Sequence, residues 1–460
     1  MKERIVLLII VTSLAVLLYI YQYHFNTVYG LAFLVLCMIV YTAYMTLADK
    51  HRKRKLQKNP QVINKDYKPF VTIMIPAHNE ASVIGDTAKN ILNIDYPNYE
   101  IILIDDRSED NTADVIKELE KENSKIKAFI RNKDAFPGKS AVLNDAMQFA
   151  KGEAILIFDA DARVDTDFLT NLVPALEPED VGAVQARKVV SNREYNLLTR
   201  CQDNEMTLDT HFQIGRDAVK GAVELRGNGE LIKRKALEDI GGWNNYTITD
   251  DLDMSTRMHI KGWDVRFCPD VVVREEGVIY LRPLYRQRRR WFEGSVRRYL
   301  EYLKDALHSK KMSLRAKLDM TAYISEIIMP IWLITEIILR IFKVTTGKIA
   351  KDDIGLFSSV VVGLVVAVCF FLATRYSLRK YNGMTFIQSF KQAVETSIYL
   401  FVIWFPVAFY ISLKILFKPK DMDWGKTMHG LVKEEENNIT KDNNKNTTVN
   451  NEVYYNVSRD

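Results

Sequence analysis

The sequence predicts an α/β domain with a doubly wound sheet, placed between two groups of membrane-spanning helices. Of its 460 residues, 48% are hydrophobic and 26% are charged, but the apolar residues collect at the two ends while most charges lie between them. In the middle part, short runs that are apolar throughout alternate with polar segments of helical pattern. Such runs are typical of parallel strands that helices cover on both faces.

The overall charge and the cysteines exclude several classes of protein. Lys and Arg number 63 against 58 Asp and Glu, a net charge of +5, and no long basic tract alternates with aromatic residues, so we expect no nucleic-acid partner. Cys37, Cys201, Cys268 and Cys369 are widely separated and lack the spacing of metal ligands. A disulfide scaffold and a zinc site are therefore not expected.

The amino-terminal part predicts a membrane anchor. Residues 5–21 and 28–48 are apolar, and each run is long enough at ~1.5 Å per residue to cross most or all of a ~30 Å hydrocarbon core. Because no small-residue cleavage site follows the first run, a helical hairpin over residues 1–48 is favoured over a cleaved signal peptide. The basic linker 49–68 then places the following domain, 69–295, in the cytoplasm.

The carboxyl-terminal part predicts further membrane contact. Residues 296–318 mix apolar and basic residues as an amphipathic interfacial helix does, although an ordinary surface helix has the same pattern. Residues 319–417 contain about three apolar stretches, at 321–342, 354–373 and 394–417. The first carries Glu326 and Glu336, so it either lines a polar path or is partly interfacial. The polar, Asn-rich tail 418–460 is expected to be disordered.

Within residues 69–295, three predicted strands end in polar motifs: PAHNE at 76–80, DDRSED at 105–110 and DADA at 159–162. Ligands of open α/β sheets bind beyond the carboxyl ends of the strands. Asp159 and Asp161 point the same way along an extended backbone, which is costly unless a cation lies between them. Mg²⁺ or Mn²⁺ bridging to substrate phosphates would remove that cost; a solvated turn is the alternative.

Three later motifs add charge: ELRGNGE at 224–230, ITDDLD at 248–253 and QRRRW at 287–291. Three adjacent arginines are usually a solvated basic face. Followed by Trp291 and Phe292, they indicate an anion clamp beside an aromatic platform.

Taken in this order and at these separations, PAHNE, IDDRSEDNT, PGKSAVLNDA, DADA, TDD and QRRRW resemble the membrane-bound family-2 glycosyltransferases. That family includes the monoglucosyldiacylglycerol, cellulose, hyaluronan and poly-N-acetylglucosamine synthases. The resemblance implies a GT-A fold with a mixed sheet, a UDP-sugar donor, a divalent metal and inversion at the anomeric carbon. It also implies a membrane-bound acceptor, either a lipid or a growing glycan.

The resemblance also implies roles for single residues. The nucleotide-sugar would be held by Ala77, Asn79, Glu80, Asp106, Lys139 and Asp159. Asp161, with Asp159, would coordinate the metal. Asp251 would be the catalytic base and Asp250 the acidic residue before it, although TDD in place of the usual TED leaves the choice between them open. Gln287, Arg290 and Trp291 would hold the diphosphate and the acceptor end.

Two alternatives to a glycolipid enzyme remain at this point. RGNG and ITDDLD resemble the corresponding sequence motifs of the glucolipid synthases, and this resemblance favours transfer of glucose to diacylglycerol. QRRRW fits a processive β-polysaccharide synthase equally well, and Tyr399 and Trp404 are candidates to line its translocation path. A non-catalytic membrane scaffold is disfavoured because every carboxylate and basic group that the reaction needs is present.

Overall fold

The computed structural model describes residues 27–58, 64, 66–322, 345–346 and 354–418. Within them lies one mixed sheet of eight strands. In chain order the strands are β1 Val71–Ala77, β2 Tyr99–Asp105, β3 Ile126–Ile130, β4 Ala154–Ile157, β5 Arg163–Val164, β6 Val181–Val190, β7 Glu230–Lys233 and β8 Asp264–Glu275.

The sheet has two halves that differ in strand direction. Its spatial order is β3-β2-β1-β4-β7-β6-β8-β5. The four strands from β3 to β4 are parallel, whereas β7 is antiparallel to both β4 and β6. The predicted βαβαβαβ half is confirmed, and the carboxyl ends of β1, β2 and β4 lie side by side as its strand order requires.

Eleven labelled helices surround or extend from this sheet: α1 Thr27–Lys58, α2 Ile84–Leu92, α3 Thr112–Glu122, α4 Lys139–Ala146, α5 Phe168–Leu172, α6 Leu197–Val219, α7 Arg234–Asp239, α8 Asp250–Lys261, α9 Leu281–His308, α10 Ile354–Tyr381 and α11 Phe386–Phe417. Residues 314–322 are also helical.

The two faces of the sheet carry separate apolar cores. Ile73 of β1 packs with α2 and α3 on one face, while its neighbour Met74 packs with α4 and α8 on the other. Successive side chains of a strand point to opposite faces, so a strand buried on both sides is apolar at almost every position. This explains the continuous apolar runs seen in the sequence.

Helix α6 joins the sheet domain to the long terminal helices. It contacts α1, α10 and α11, and polar pairs fix the contact: Asn204 Nδ2 donates to Thr396 Oγ1 over 3.0 Å, and Arg200 lies 3.4 Å from Glu395. Between the long helices themselves, Lys380 Nζ donates to Asp49 over 2.9 Å. The terminal helices therefore gather on one face of the sheet domain.

Among the described residues, α11 is the one helix that is both long and apolar enough to cross a membrane. The predicted spans 28–48 and 354–373 lie within α1 and α10. The predicted span 5–21, nearly all of 321–342 and the tail after residue 418 lie outside the described residues. The number of spans stays a prediction.

The predicted domain boundary at 295–296 lies inside α9, which runs without a break from Leu281 to His308. Arg297 and Arg298, which the sequence suggested for the basic side of an interfacial helix, are buried. They pair with Glu293 at 2.9 Å and Glu224 at 2.8 Å. These arginines therefore neutralise internal carboxylates, and the partner of Arg298 cannot be read from the sequence of α9 alone.

Candidate active site

The two aspartates of DADA follow β4 at the carboxyl edge of the sheet, and each has a fixed partner. Asp159 Oδ1 accepts a hydrogen bond of 2.7 Å from Lys139 Nζ, and the backbone N–H of Asp159 donates to Asn228 Oδ1 over 3.2 Å. Asp161 is buried and accepts a hydrogen bond of 2.6 Å from the backbone N–H of Glu276. The triplet therefore lies between α4, the 226–229 loop and the end of β8.

Lys139 lies at the centre of this edge. It is the first residue of α4 and follows Gly138, whose φ of +110° few other residues adopt. Its Nζ also donates to the carbonyl of Gly227 over 2.8 Å. Burial opposes the charge on Lys139, but the carboxylates of Asp159 and Asp250 raise its pKa above the ordinary value. The lysine is therefore a fixed cation within the site.

Asp250 and Asp251 open α8, opposite the Gly227 loop. Asp251 Oδ1 accepts from the backbone N–H of Leu252 over 2.8 Å, and a Cβ placed on Gly227 would lie 3.3 Å from Asp251 Oδ2. Gly227 has a φ of +77°, so glycine meets both a conformational and a steric need there. Burial and the neighbouring Asp250 raise the pKa of Asp251 to about 6, the range that suits a general base at neutral pH.

Glu230 is an acidic group that the sequence did not single out. It begins β7, is fully buried, and accepts from the backbone N–H of Gly227 over 3.2 Å. Burial, opposed by Lys139 and reinforced by Asp250 and Asp251, raises its pKa to about 8. Glu230 is therefore mostly protonated at neutral pH, even though a lysine lies close by.

Lys188 and Glu275 form a second pair that sequence reasoning missed. They lie on the neighbouring strands β6 and β8, 2.7 Å apart, and Lys188 Nζ lies 5.9 Å from the ring centre of Trp291. Burial raises the pKa of Glu275, and the carboxylates of Asp161 and Asp159 act in the same direction. An isolated lysine within a strand carries no sequence signal, since only the β6–β8 pairing brings it to the site.

The residues after β1 and β2 form a separate group at the same edge. Asn79 adopts φ +56°, and its side-chain oxygen accepts from the backbone N–H of Glu109 over 2.6 Å. Glu80 is tied to the second loop through its backbone N–H, which donates to Thr112 Oγ1 over 2.8 Å, and Ala77 ends β1 and is buried. The two loops are thus held together.

Asp106 is fully buried and contacts two arginines instead of facing solvent. Arg131 donates to its Oδ1 over 2.5 Å and Arg107 over 2.9 Å. Arg131 also donates to Asp145 on α4 over 2.6 Å. Sequence reasoning did not identify Arg131, which lies in the segment after β3 and carries no motif.

The QRRRW motif lies on α9, and its side chains point in different directions. Gln287 Oε1 accepts from Arg288 over 2.5 Å, and Arg288 lies 4.1 Å from the Trp291 ring centre. Arg289 lies over Tyr410 at 4.0 Å. Arg290 is half-buried and has no hydrogen bond or ion pair with any described residue. Of the three arginines, Arg290 therefore has the guanidinium that is available to an anion.

The donor set for a metal is small. In the described part of the chain, no three His, Cys, Asp or Glu side chains come together as a metal site. The carboxylates of Asp159 and Asp161 still concentrate negative charge beside Glu275, as its raised pKa indicates. Mg²⁺ is usually held by one or two carboxylates together with substrate phosphates, and this residue set fits that pattern.

Comparison with known proteins bears on this site. A family described as "Glycosyltransferase like family 2" matches residues 69–294. The chain is 37% identical over 372 residues to the β-monoglucosyldiacylglycerol synthase of Trichormus variabilis, covering 78% of this chain and 76% of that protein. It is 32% identical over 377 residues to the Synechocystis synthase of the same name, covering 80% and 76%.

Two other similarities are more distant. The poly-β-1,6-N-acetyl-D-glucosamine synthase of Staphylococcus epidermidis is 26% identical over 330 residues, covering 69% of this chain and 78% of that protein. A mannosyltransferase structure from Pyrobaculum calidifontis, in complex with GDP-Man and Mn²⁺, matches with a TM-score of 0.54 and 22% identity. It covers 84% of this chain and 99% of that one. The similarity to this mannosyltransferase structure supports the predicted GT-A-like fold.

Proposed function

Since this chain belongs to glycosyltransferase family 2, we propose that it transfers glucose from UDP-glucose to diacylglycerol, with inversion. One observation carries the choice of acceptor: the similarity to the β-monoglucosyldiacylglycerol synthases covers 78% of the chain, well beyond the catalytic residues 69–294. Because UDP-glucose is an α-linked donor, a β-linked product requires an odd number of displacements at the anomeric carbon. A single in-line displacement is the simplest.

Asp251 is the proposed base. In a single displacement, a carboxylate takes the proton of the acceptor hydroxyl as the leaving diphosphate gains negative charge. Asp251 begins α8 beside the Gly227 loop, and its raised pKa gives it more basicity than an ordinary aspartate. Asp250 adds to that basicity through its charge. This arrangement favours Asp251 over Asp250 as the group that accepts the proton.

Cations of the chain stabilise the leaving group. Lys139 lies 2.7 Å from Asp159, and Arg290 makes no hydrogen bond or ion pair with another described residue; we assign both of them to the diphosphate oxygens. Gln287 and Trp291 would bound the acceptor side. Asp161, with Asp159, would hold Mg²⁺ or Mn²⁺, which when bound adds positive charge at the diphosphate.

The loops after β1 and β2 are the proposed nucleotide site. Ala77, Asn79 and Glu80 line the first loop, and the hydrogen bond from Glu109 to Asn79 keeps it against the second. The buried position of Asp106 suggests that it acts by fixing Arg107 and Arg131, leaving direct contact with uridine to its neighbours.

The membrane is the proposed location of the enzyme. Large apolar side chains are exposed along the long helices, including Phe33 and Leu36 of α1, Leu364 of α10, and Ile398 and Phe401 of α11. Contiguous exposed apolar surface is rare on soluble monomers. Contact with lipid would bury it and bring the active site next to a lipid acceptor, with the catalytic domain on the cytoplasmic side.

The experiment uses the full-length protein in lipid nanodiscs with Mg²⁺, diacylglycerol and, in parallel reactions, UDP-glucose, UDP-galactose and UDP-N-acetylglucosamine. Mass spectrometry should show a single hexose added to diacylglycerol with UDP-glucose, and none with the Asp251→Asn variant. A ladder of oligosaccharides that does not depend on added diacylglycerol would overturn the proposal in favour of a processive synthase.

A further inference from the structure

We propose that Glu205 is a positioning residue for the acceptor, which links the membrane helix α11 to Trp291 through Arg288. The inference rests on the proposed function, because it assigns the acceptor to the side of the site formed by α9 and α11. The acceptor class is a glycerolipid that presents a free hydroxyl at the level of the headgroups.

Glu205 lies on α6 and binds side chains from two other helices. Its Oε2 accepts from Arg288 of α9 over 2.7 Å and from Tyr399 of α11 over 2.9 Å. Its Oε1 accepts from Trp404 Nε1, also of α11, over 2.8 Å. One carboxylate thus holds three helices together with hydrogen bonds on both oxygens.

Arg288, which Glu205 holds in place, contacts the ring of Trp291. Its guanidinium is 1% exposed and lies 4.1 Å from the ring centre of Trp291, close enough for a cation–π contact. Lys188, which is paired with Glu275 at the catalytic edge, lies 5.9 Å from the same ring. The orientation of the indole therefore depends on a cation that Glu205 fixes.

Helix α11 has further contacts with α9 besides this cluster. Val296 of α9 packs against Val407 and Ile411 of α11 in an apolar contact, and a second ion pair joins Lys414 to Glu293 at 2.7 Å. Buried ion pairs often contribute little net stability compared with apolar residues of similar size. The cluster of Glu205, Arg288, Tyr399 and Trp404 is therefore better explained by a need to fix Arg288 and Trp291.

The cluster also lies where an acceptor can reach it. The Glu205 side chain on α6 keeps 16% of its exposure, while Phe401, on the outward face of α11, is 56% exposed. Acyl chains lying along the outer surface of α11 would bring a lipid hydroxyl towards Trp291. Tyr399 and Trp404 were candidates to line a translocation path, but in this structure they hydrogen-bond to Glu205.

The test compares Glu205→Gln with Glu293→Gln in nanodiscs. Glu293 is the matched control, since it is a buried carboxylate that likewise joins an arginine of α9 to a side chain of α11, but its hydrogen bonds among the described residues go to Arg297 and Lys414 and not to Arg288. We expect Glu205→Gln to raise the apparent KM for diacylglycerol about tenfold, the loss expected for one hydrogen bond to a charged group. The KM for UDP-glucose and its slow hydrolysis without lipid should change less than about twofold.

Tyr399→Phe removes one of the three hydrogen bonds to Glu205 and should raise the KM for diacylglycerol in the same direction by a smaller factor. It keeps the inference testable if Glu205→Gln does not fold. The inference is overturned if the KM values for donor and acceptor rise together, or if Glu293→Gln has the same effect as Glu205→Gln.

Failure of the proposed function would look different. A wild-type protein that makes a saccharide ladder instead of a glucosyl lipid refutes the diacylglycerol assignment, and the same variants are then compared on the KM for that glycan acceptor. An unchanged KM for the glycan overturns the role of Glu205 as well.

Discussion

Replacing Glu230 with Gln should change how the stability of the catalytic domain depends on pH. Glu230 is fully buried, and burial raises its pKa from 4.5 to about 8. The folded state therefore binds a proton that the unfolded state releases above about pH 4.5. Stability contributed by this proton is fully present below that pH and is lost as the pH rises towards 8.

The size of the effect follows from the linkage. Between pH 6 and pH 8 the wild-type domain should lose about 2–3 kcal/mol through this group, at about 1.4 kcal/mol per pH unit. Glutamine keeps an acceptor for the Gly227 N–H but has no proton to lose. At about 2 °C per kcal/mol for a domain of about 200 residues, the Tm of Glu230→Gln relative to wild type should rise by about 5 °C over this interval.

The assay is thermal unfolding of detergent-solubilised protein, followed by intrinsic fluorescence at pH 6, 7 and 8. Glu238→Gln is the control, because that side chain is 63% exposed and its replacement should leave the difference from wild type constant. A Glu230→Gln difference that does not grow with pH would refute the conclusion that burial of Glu230 outweighs its attraction to Lys139.

Three further predictions concern the same site. Asp251→Asn should lower kcat by a factor of about 10²–10⁴ with the fold retained. In the wild type, kcat/KM should fall about tenfold per pH unit below about pH 6, the pKa of Asp251. Activity retained in the variant, or a wild-type kcat/KM that does not fall below about pH 6, would contradict the assignment of Asp251 as the base. Asp161→Asn should raise the Mg²⁺ concentration for half-maximal activity at least about tenfold, and an unchanged metal titration argues against it as a ligand. Arg131→Ala should destabilise the domain by about 3–5 kcal/mol, because Asp106 would be left buried without its closest cation; a chemical-denaturation midpoint equal to that of wild type would contradict this.

The parallel half of the sheet could be predicted because short segments of the sequence are enough to identify most of its strands. Strands β1, β2 and β4 are almost continuously apolar, and each is followed by polar residues at its carboxyl end. That pattern also placed Asp159 and Asp161 at the correct edge of the sheet. The glycines of RGNG and the aspartates of TDD could also be predicted as turn and helix-start residues, because the local sequence determines where turns form and helices begin.

The remaining parts depend on contacts between distant segments. Lys188 and Glu275 meet only because β6 and β8 pair in parallel, and no local pattern predicts that pairing. Arg298 looked like a surface residue because its partner Glu224 lies on a distant segment and meets it only when α9 packs against the sheet domain. Glu205 likewise lies in a helix of ordinary composition, and its role depends on α11, almost two hundred residues later.

The late position of α11 in the sequence, after residue 385, has a consequence for how the enzyme is made. During synthesis, α6 and the sheet are complete well before α11 leaves the ribosome. Until then Glu205 cannot accept hydrogen bonds from Tyr399 and Trp404, and Asn204 cannot donate to Thr396. During that interval the buried side chain of Asn204 lacks its hydrogen bond to Thr396, and an unsatisfied buried polar group is costly. Packing of α11 therefore completes these hydrogen bonds, and we expect a chain truncated before residue 386 to unfold more easily than the full chain even though every proposed catalytic residue is present.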